Sequence, residues 1–381
     1  MKISFIGVLC FLSINCYSQS TSIDWLVPPQ GFGIPYLNST GNSAIINDVT
    51  NIGVINPASI SNFDNLSFGI SFQINPEINK GWLNDSPIKR NNQFIPQSAG
   101  GIFKLNNISL GLGFCQQYNT ETEFNWGISG NGEPDITKFK GNVFSYSAVA
   151  AYTFNELFKK NSKLELGLNI TYNKVDFSQK NQSSLINLTD DVINFRFGIL
   201  YTIKNVDELE TSVGLSYHTN TKFESDYNTQ SGMVVIIRKT NSLRSINDLN
   251  AENIISGNNP DKINLDFAVD LSTSFKLLAS GTGVFWEKDE NKLNDQFEFS
   301  LGSIYKLNDL FSPAFTIYYT GRNYELGLFD LNEKFDALYL IAGLKLNFGM
   351  FNSDLVIADS HLISGDYRKQ TIIKLSLGIK L

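Results

Sequence analysis

Two histidines, His218 and His361, are the only imidazoles in the chain, and each lies near a serine. Ser216-Tyr217-His218 and Asp359-Ser360-His361 supply the residue types of nucleophilic catalysis, in which a base beside the serine takes its proton. Adjacent residues on a strand point to opposite faces, so Ser360 and His361 cannot both face one substrate from a strand. Loop oxygens at Asn187–Asp191 and at Asp289-Glu290-Asn291 are of the kind that hold Ca²⁺, but solvated turns explain both stretches better. His, Cys, Asp and Glu nowhere cluster with the spacing of a transition-metal site. Gly31-Phe32-Gly33 lacks the strand-then-helix setting of a phosphate loop. The expectation is a protein that is not an enzyme, with neither cofactor nor metal.

Composition narrows the class. The chain has 381 residues, 42% of them hydrophobic and 18% charged, with 29 Phe, 15 Tyr and 29 Gly. Soluble domains carry ~25% charged residues, and so many aromatics exclude a disordered chain. Asp and Glu (37) outnumber Lys and Arg (30), for a net charge of −7. That balance excludes nucleic acid as a main partner, which requires a basic face.

Residues 1–18 read as a cleaved secretory signal: Lys2 at the start, an apolar stretch from Ile3 to Ile14, then Cys16-Tyr17-Ser18 at the cutting site. The apolar run falls short of the ~20 residues that a membrane-spanning helix needs. Cleavage removes Cys10 and Cys16 and leaves Cys115 alone, so no internal disulfide can form.

Downstream, the chain has a period of two. Leu66, Phe68, Ile70, Phe72 and Ile74 alternate with Ser67, Gly69, Ser71 and Gln73. Leu164, Leu166, Leu168, Ile170 and Tyr172 enclose Glu165, Gly167, Asn169 and Thr171. The same alternation recurs around Ile108–Phe114, Ile263–Leu271, Leu340–Phe348 and Ile373–Leu381. A soluble sandwich turns its apolar face inward, whereas a membrane barrel turns it to lipid and the polar face to the lumen. Segments of about 9–12 residues exceed the soluble mode of about 5–6, and the polar face is rich in Gly and Ser. Aromatics at strand ends (Tyr152/Phe154, Tyr318/Tyr319, Phe285/Trp286) suit interfacial girdles. The reading is an all-β transmembrane antiparallel barrel of about fourteen strands over residues 63–381. Short turns such as Asn106-Asn107 and Asn308-Asp309 form one rim, and the long polar segments 77–97, 120–141 and 221–261 form the outer one. Within 221–261, Met233–Ile237 is an apolar strip that could receive a greasy ligand.

The parity also places charge. Glu165, Asp266, Asp270, Glu298, Lys345, Lys374 and Lys380 fall on the lumen side, because a lysine facing lipid at mid-bilayer costs roughly 2–4 kcal/mol. They line the interior, as ion pairs or as a polar path for a solute.

Residues 19–62 do not alternate. They are rich in Gly, Pro, Asn and Ser, yet hold Trp25, Phe32, Tyr36, Leu37, Ile45 and Val54, too apolar for a solvated tail. This tract is expected to pack into the lumen. Its Asp48, then Asn56-Pro57-Ala58, followed by the first alternating strand at Leu66–Ile74, resembles the FadL-type outer-membrane transport family. The later order of segments, including Trp286 and Tyr305, is compatible with it. That resemblance implies a fourteen-stranded barrel plugged by an N-terminal hatch, with Asn56, Pro57 and Ala58 in the hatch element. It implies a Gram-negative outer-membrane location, contact with outer-membrane lipid, and uptake of hydrophobic compounds such as long-chain fatty acids. A sister group with a similar start serves protein secretion and assembly, so a secretion-machinery partner is the alternative.

Overall fold

The structure is a computed structural model that describes residues 36–43, 45, 48–52, 56–63, 65–74, 79–80, 87–90, 96–128, 132, 134–180, 185–205, 209–226, 254–285, 295–321, 336–364 and 369–381. The signal segment, Trp286, Gly31-Phe32-Gly33, Asp289-Glu290-Asn291 and Met233–Ile237 lie outside them.

Alternating side chains leave one apolar and one polar face on every strand, and in hydrocarbon an unpaired strand edge is too costly to survive. The chain resolves both demands by closing on itself. Fourteen strands form the wall: β1 (Leu66–Ile74), β2 (Ser98–Leu105), β3 (Ile108–Ile128), β4 (Pro134–Asn155), β5 (Ser162–Lys180), β6 (Leu185–Lys204), β7 (Glu210–His218), β8 (Asp261–Ser272), β9 (Phe275–Phe285), β10 (Gln296–Tyr305), β11 (Phe311–Thr320), β12 (Ala337–Phe348), β13 (Phe351–Asp359) and β14 (Thr371–Lys380). Each pairs antiparallel with the next, and β14 returns to β1 with Lys380 opposite Ser67 and Ile373 opposite Ile74. Two short ribbons stand apart from this cycle. Asn79–Lys80 pairs with Pro87–Arg90, which adds to β3 at Thr120–Thr122. Thr221–Asp226 pairs with Ile254–Asn259.

The fourteen expected strands are all present, but β3 to β6 run 19 to 22 residues, longer than expected. Residues 120–128 and 134–141 are strand rather than loop, and Asn187–Asp191 belongs to β6 rather than to a turn. The outward face of these extensions carries Lys138, Lys140, Lys174 and Asp176, all exposed. Above the membrane both faces meet water, so the apolar alternation that marks a strand disappears while the ladder continues.

The outward face below is apolar. Leu110, Leu112, Phe195, Phe197, Leu265, Phe267, Phe299 and Leu301 are exposed on it, Leu112 by 70%. On β5 this band runs from Leu164 to Tyr172, about 27 Å of strand at ~3.4 Å per residue and about 20 Å of height at a ~40° tilt. Aromatic contacts border it. Phe114 meets Tyr146 at 5.5 Å and Tyr146 meets Tyr172 at 6.2 Å on one edge, and Tyr152 meets Phe154 at 4.7 Å on the other. Tyr318 departs from the girdle expected of it: it faces inward, fully buried, 5.9 Å from Tyr339. Inward positions of β11 are even-numbered, so only Tyr319 of that pair looks outward.

Candidate functional site

The described part of residues 36–63 packs against the inner wall in three places. The first is the Asn-Pro-Ala element. Asn56 has extended backbone and caps a short 3₁₀ helix, Pro57–Asn62, its Oδ1 accepting from Ala58 N at 3.0 Å. Pro at the first helical position costs no hydrogen bond, because that N–H has no partner in the helix anyway. Asn56 Nδ2 donates to the wall, to Ile199 O at 3.1 Å and Leu215 O at 3.4 Å.

Three glycines on adjacent strands make room for this approach. A Cβ on Gly198 would collide with Asn56 Oδ1 and lie 2.7 Å from Pro57 Cδ. One on Gly167 would lie 2.7 Å from Ala58 Cα, and one on Gly214 3.0 Å from Asn56 Nδ2. Gly167 is the register partner of Gly198, so the bare surface crosses β5, β6 and β7. Ala58 and Ile60 are fully buried there, Ile60 among Val49, Ile52, Phe63, Ile102, Val149 and Ala151. Burial of an isoleucine of this kind contributes about 2–3 kcal/mol.

The second is Val49–Asn51, a single 3₁₀ turn capped by Asp48, whose Oδ1 accepts from Thr50 N at 2.9 Å and Thr50 Oγ1 at 2.7 Å. It lies over a row of glycines in register, Gly69, Gly100 and Gly113 on β1, β2 and β3. A Cβ on Gly100 would sit 2.5 Å from Ile52 Cδ1.

The third is a tight turn, Asn38–Gly41, closed by hydrogen bonds of 2.9 and 3.0 Å between the end residues. Gly41 has φ +77°, which glycine adopts without strain. The turn meets β10 to β13. Ser39 N and Oγ donate to Asp354 Oδ2 at 3.2 and 2.9 Å, and Thr316 Oγ1 donates to Ser39 O at 3.1 Å. Lys345 Nζ is 3.9 Å from the same Asp354 oxygen. The next residue, Asn42, accepts from Ser280 Oγ on β9. Tyr36, two residues before the turn, is buried toward Cys115 of β3 and Arg196 of β6, and its hydroxyl pKa is held well above the ordinary tyrosine value by that burial and by Cys115.

The charged residues read as lumenal all occupy inward positions. Glu165, Asp266, Glu298 and Lys374 are buried, and Asp270, Lys345 and Lys380 are half-buried. They do not form one cluster. Asp266 accepts from Asn264 Nδ2 at 2.5 Å on its own strand, and Glu298 accepts from Thr320 Oγ1 at 3.1 Å and Gln296 Nε2 at 2.8 Å. Asp270 pairs with Lys276 at 3.2 Å near the short-turn rim.

Register brings together a set that reading along the chain does not. Arg196 on β6 is opposite His218 on β7, which is opposite Lys262 on β8. This gives a row of three basic residues on the inward face, with Glu298 within electrostatic reach of Lys262. Across the lumen, with β9 and β10 between, inward residues of β11 to β14 include an apolar cluster, bordered by Lys374 opposite Val356. Tyr318, Ala337, Tyr339, Ile341, Val356, Ala358 and Ile372 are buried there beneath Leu37. The only sequence sign of the basic row is the parity of each member, such as Arg196 between Phe195 and Phe197.

The imagined hydrolase pieces separate. Ser216 and His218 point into the lumen from β7, while His361 lies exposed beyond the end of β13 with Nδ1 2.9 Å from Asp359 Oδ2. Among the described residues no three His, Cys, Asp or Glu side chains are grouped to hold a metal ion.

A closed antiparallel cylinder, apolar outside and polar at its core, is an outer-membrane β-barrel fold. Within that class, this chain has the fold of the FadL-type barrels. It superposes on a Pseudomonas aeruginosa FadL homologue with TM-score 0.58 at 13% identity, covering 95% of this chain and 100% of that one. It is similar to the Ralstonia pickettii toluene transporter TbuX, with TM-score 0.56 at 12% identity over 88% of this chain and 95% of that one. For the Pseudomonas putida toluene transporter TodX the values are 0.54 and 11%, over 95% and 98%. No family model matches the sequence, and no curated protein matches it.

Proposed function

We propose that this protein is an outer-membrane channel for uptake of hydrophobic compounds, long-chain fatty acids foremost, reached through a cleaved signal at residues 1–18. Residues 19–62 act as a hatch that closes the lumen, and residues 63–381 form the barrel. The observation that carries the reading is the two-sided lumen. The Arg196–His218–Lys262 row lies on strands across from an apolar cluster around Tyr339, Ile341 and Ile372, which Lys374 borders. An anionic head group gains from cationic side chains in a site of low dielectric, and an apolar chain gains about 25 cal/mol per Å² removed from water. Fold neighbours that carry toluene, by their names, support the apolar half. The secretion alternative rests on a hatch-like start and a barrel size shared with the sister group.

The hatch reading is supported by where that element sits. Asn56, Pro57 and Ala58 fill glycine notches in β5 to β7 with few strong bonds, two of them from a single amide. Such a contact is shape-specific and reversible.

Binding to the purified full chain tests the pairing of head group and tail. A long-chain fatty acid should bind, and the double variant Arg196→Gln/Lys262→Gln should weaken it about tenfold or more while leaving a neutral aromatic hydrocarbon bound. Equal loss of both, or no fatty-acid binding by the unaltered chain, contradicts the reading.

A further inference from the structure

The rim that carries both ends of the barrel, with Leu381 N donating to Leu66 O at 2.8 Å, is edged by lysines. Most of them are neutralised: Lys204 by Glu210 at 2.9 Å, Lys276 by Asp270 at 3.2 Å, Lys306 by Asp309 at 2.8 Å. The turn between β4 and β5 is different. Lys159 and Lys160 on it are exposed and make no ion pair among the described residues, whereas Lys163, opposite Thr202 at the start of β5, has the inward parity of Glu165.

This turn is built rather than loose. Glu156 N donates to Ser162 O at 2.7 Å, Ser162 Oγ donates to Lys159 O at 2.6 Å, and Lys204 N donates to Asn161 O at 2.9 Å. Glu156 and Asn161 have φ of 57° and 63°, so the chain bends sharply at both ends. Between them Leu157 and Phe158 are exposed, Phe158 by 71%. The Phe158 ring meets Tyr201 edge-on at 6.2 Å. Tyr201 is an outward residue of β6, in line with Phe195, Phe197 and Ile199 of the lipid-facing band. The turn therefore leans over the membrane side of the wall, with Phe158 against the band and Lys159 and Lys160 exposed beside it.

We infer that residues 157–160 form a binding site for an anionic glycerophospholipid: the phosphate sits on Lys159 and Lys160, and the upper acyl chain lies against Leu157, Phe158 and Tyr201. Each lysine near an anionic lipid surface contributes about a fivefold preference, and an aromatic at the interface fixes the depth of the head group. The site rests on the outer-membrane placement of the barrel and is independent of what the lumen carries.

Native mass spectrometry of the detergent-solubilised full chain tests this. Phosphatidylglycerol and phosphatidylcholine of identical acyl chains are the probes, with lipid A as a third arm. The unaltered chain should retain phosphatidylglycerol in preference, and added salt should reduce the preference. Lys159→Gln/Lys160→Gln should lower it roughly tenfold or more, and Lys→Arg at the same positions should keep it. Neutralising the paired Lys204 and Lys306, or the inward Lys163, should leave it unchanged. Equal retention of both phospholipids by the unaltered chain, tighter retention of lipid A, or an unchanged preference in the double Gln variant overturns the proposal. If the double variant fails to insert, the single variant Lys160→Gln decides by the same ratio.

Discussion

The side chain of Asn56 occupies space that a methyl group at Gly198 would fill. The Cβ of an alanine there would strike Asn56 Oδ1 and press on Pro57. Neither residue alone explains the other: the glycine is permissive only because the asparagine arrives, and the asparagine reaches Ile199 O and Leu215 O only because the wall is bare. Gly198→Ala should therefore displace the Asn-Pro-Ala element without preventing barrel closure. Overpacking of this kind costs about 1–3 kcal/mol. Single-channel conductance in planar bilayers should rise above that of the unaltered protein, while heat-modifiable gel mobility stays that of a folded barrel. Unchanged conductance would show that the notch is filled for packing alone.

Asn56→Asp keeps the helix cap and loses the donor. The carboxylate still accepts from Ala58 N, yet it faces two carbonyl oxygens where an amide had donated. Asn56→Ala loses both roles, about 1 kcal/mol of capping and about 1 kcal/mol for each wall bond. Both variants should expose residues 36–63 to limited proteolysis, Asn56→Asp no less than Asn56→Ala. A protected Asn56→Asp would mean that the cap dominates and the wall bonds contribute little.

Asp354 holds Ser39 by two donors and faces Lys345. Asp354→Asn retains an acceptor oxygen for Ser39 but removes the charge; Asp354→Ala removes both. The expected order of thermal stability is the unaltered chain, then Asn, then Ala, with the last lower by about 1–3 kcal/mol. If Asn and Ala were equally destabilised, the ion pair and not the Ser39 contact would be the important one.

Leu168 and Asn169 are neighbours on β5 with opposite solvents. Leu168 lies mid-band among exposed apolar residues, and Asn169 is buried inside. Leu168→Lys should cost roughly 2–4 kcal/mol of stability in lipid, the depth-dependent charge on a lysine at the midplane. Leu168→Ala removes only lipid contact and should cost well under that. Urea-induced unfolding in lipid bilayers measures both. A Lys variant as stable as the Ala variant would place Leu168 away from the membrane centre.

Much of this architecture was legible from the amino-acid order. A period of two with apolar residues outward identified the strands, and the parity of Glu165, Asp266 and Lys374 gave the inner face before any pairing was known. Tyr318 and Tyr319 look alike as girdle aromatics, yet a strand must send adjacent residues to opposite faces, and Tyr318 is the one that goes inside. The upper parts of β3 to β6 were illegible for another reason. Lys138, Lys140, Lys174 and Asp176 stand above the bilayer, where no apolar face is required and the ladder leaves no compositional trace. The Arg196–His218–Lys262 row depends on register between three strands, which no local pattern records. The glycine notches belong to the same kind: Gly167 and Gly198 look like ordinary small lumenal residues until the Asn-Pro-Ala element is seen against them.

Uptake of a long-chain fatty acid into liposomes carrying the purified chain is the most direct measurement of the proposed role, compared with the same chain lacking residues 21–60. The full chain should admit the fatty acid in a saturable manner while excluding a hydrophilic solute of similar mass, and the shortened chain should lose that discrimination. Uptake no faster than into empty liposomes, or identical behaviour of the two chains beside normal insertion, would contradict a hydrophobic-solute channel closed by its own N-terminal segment.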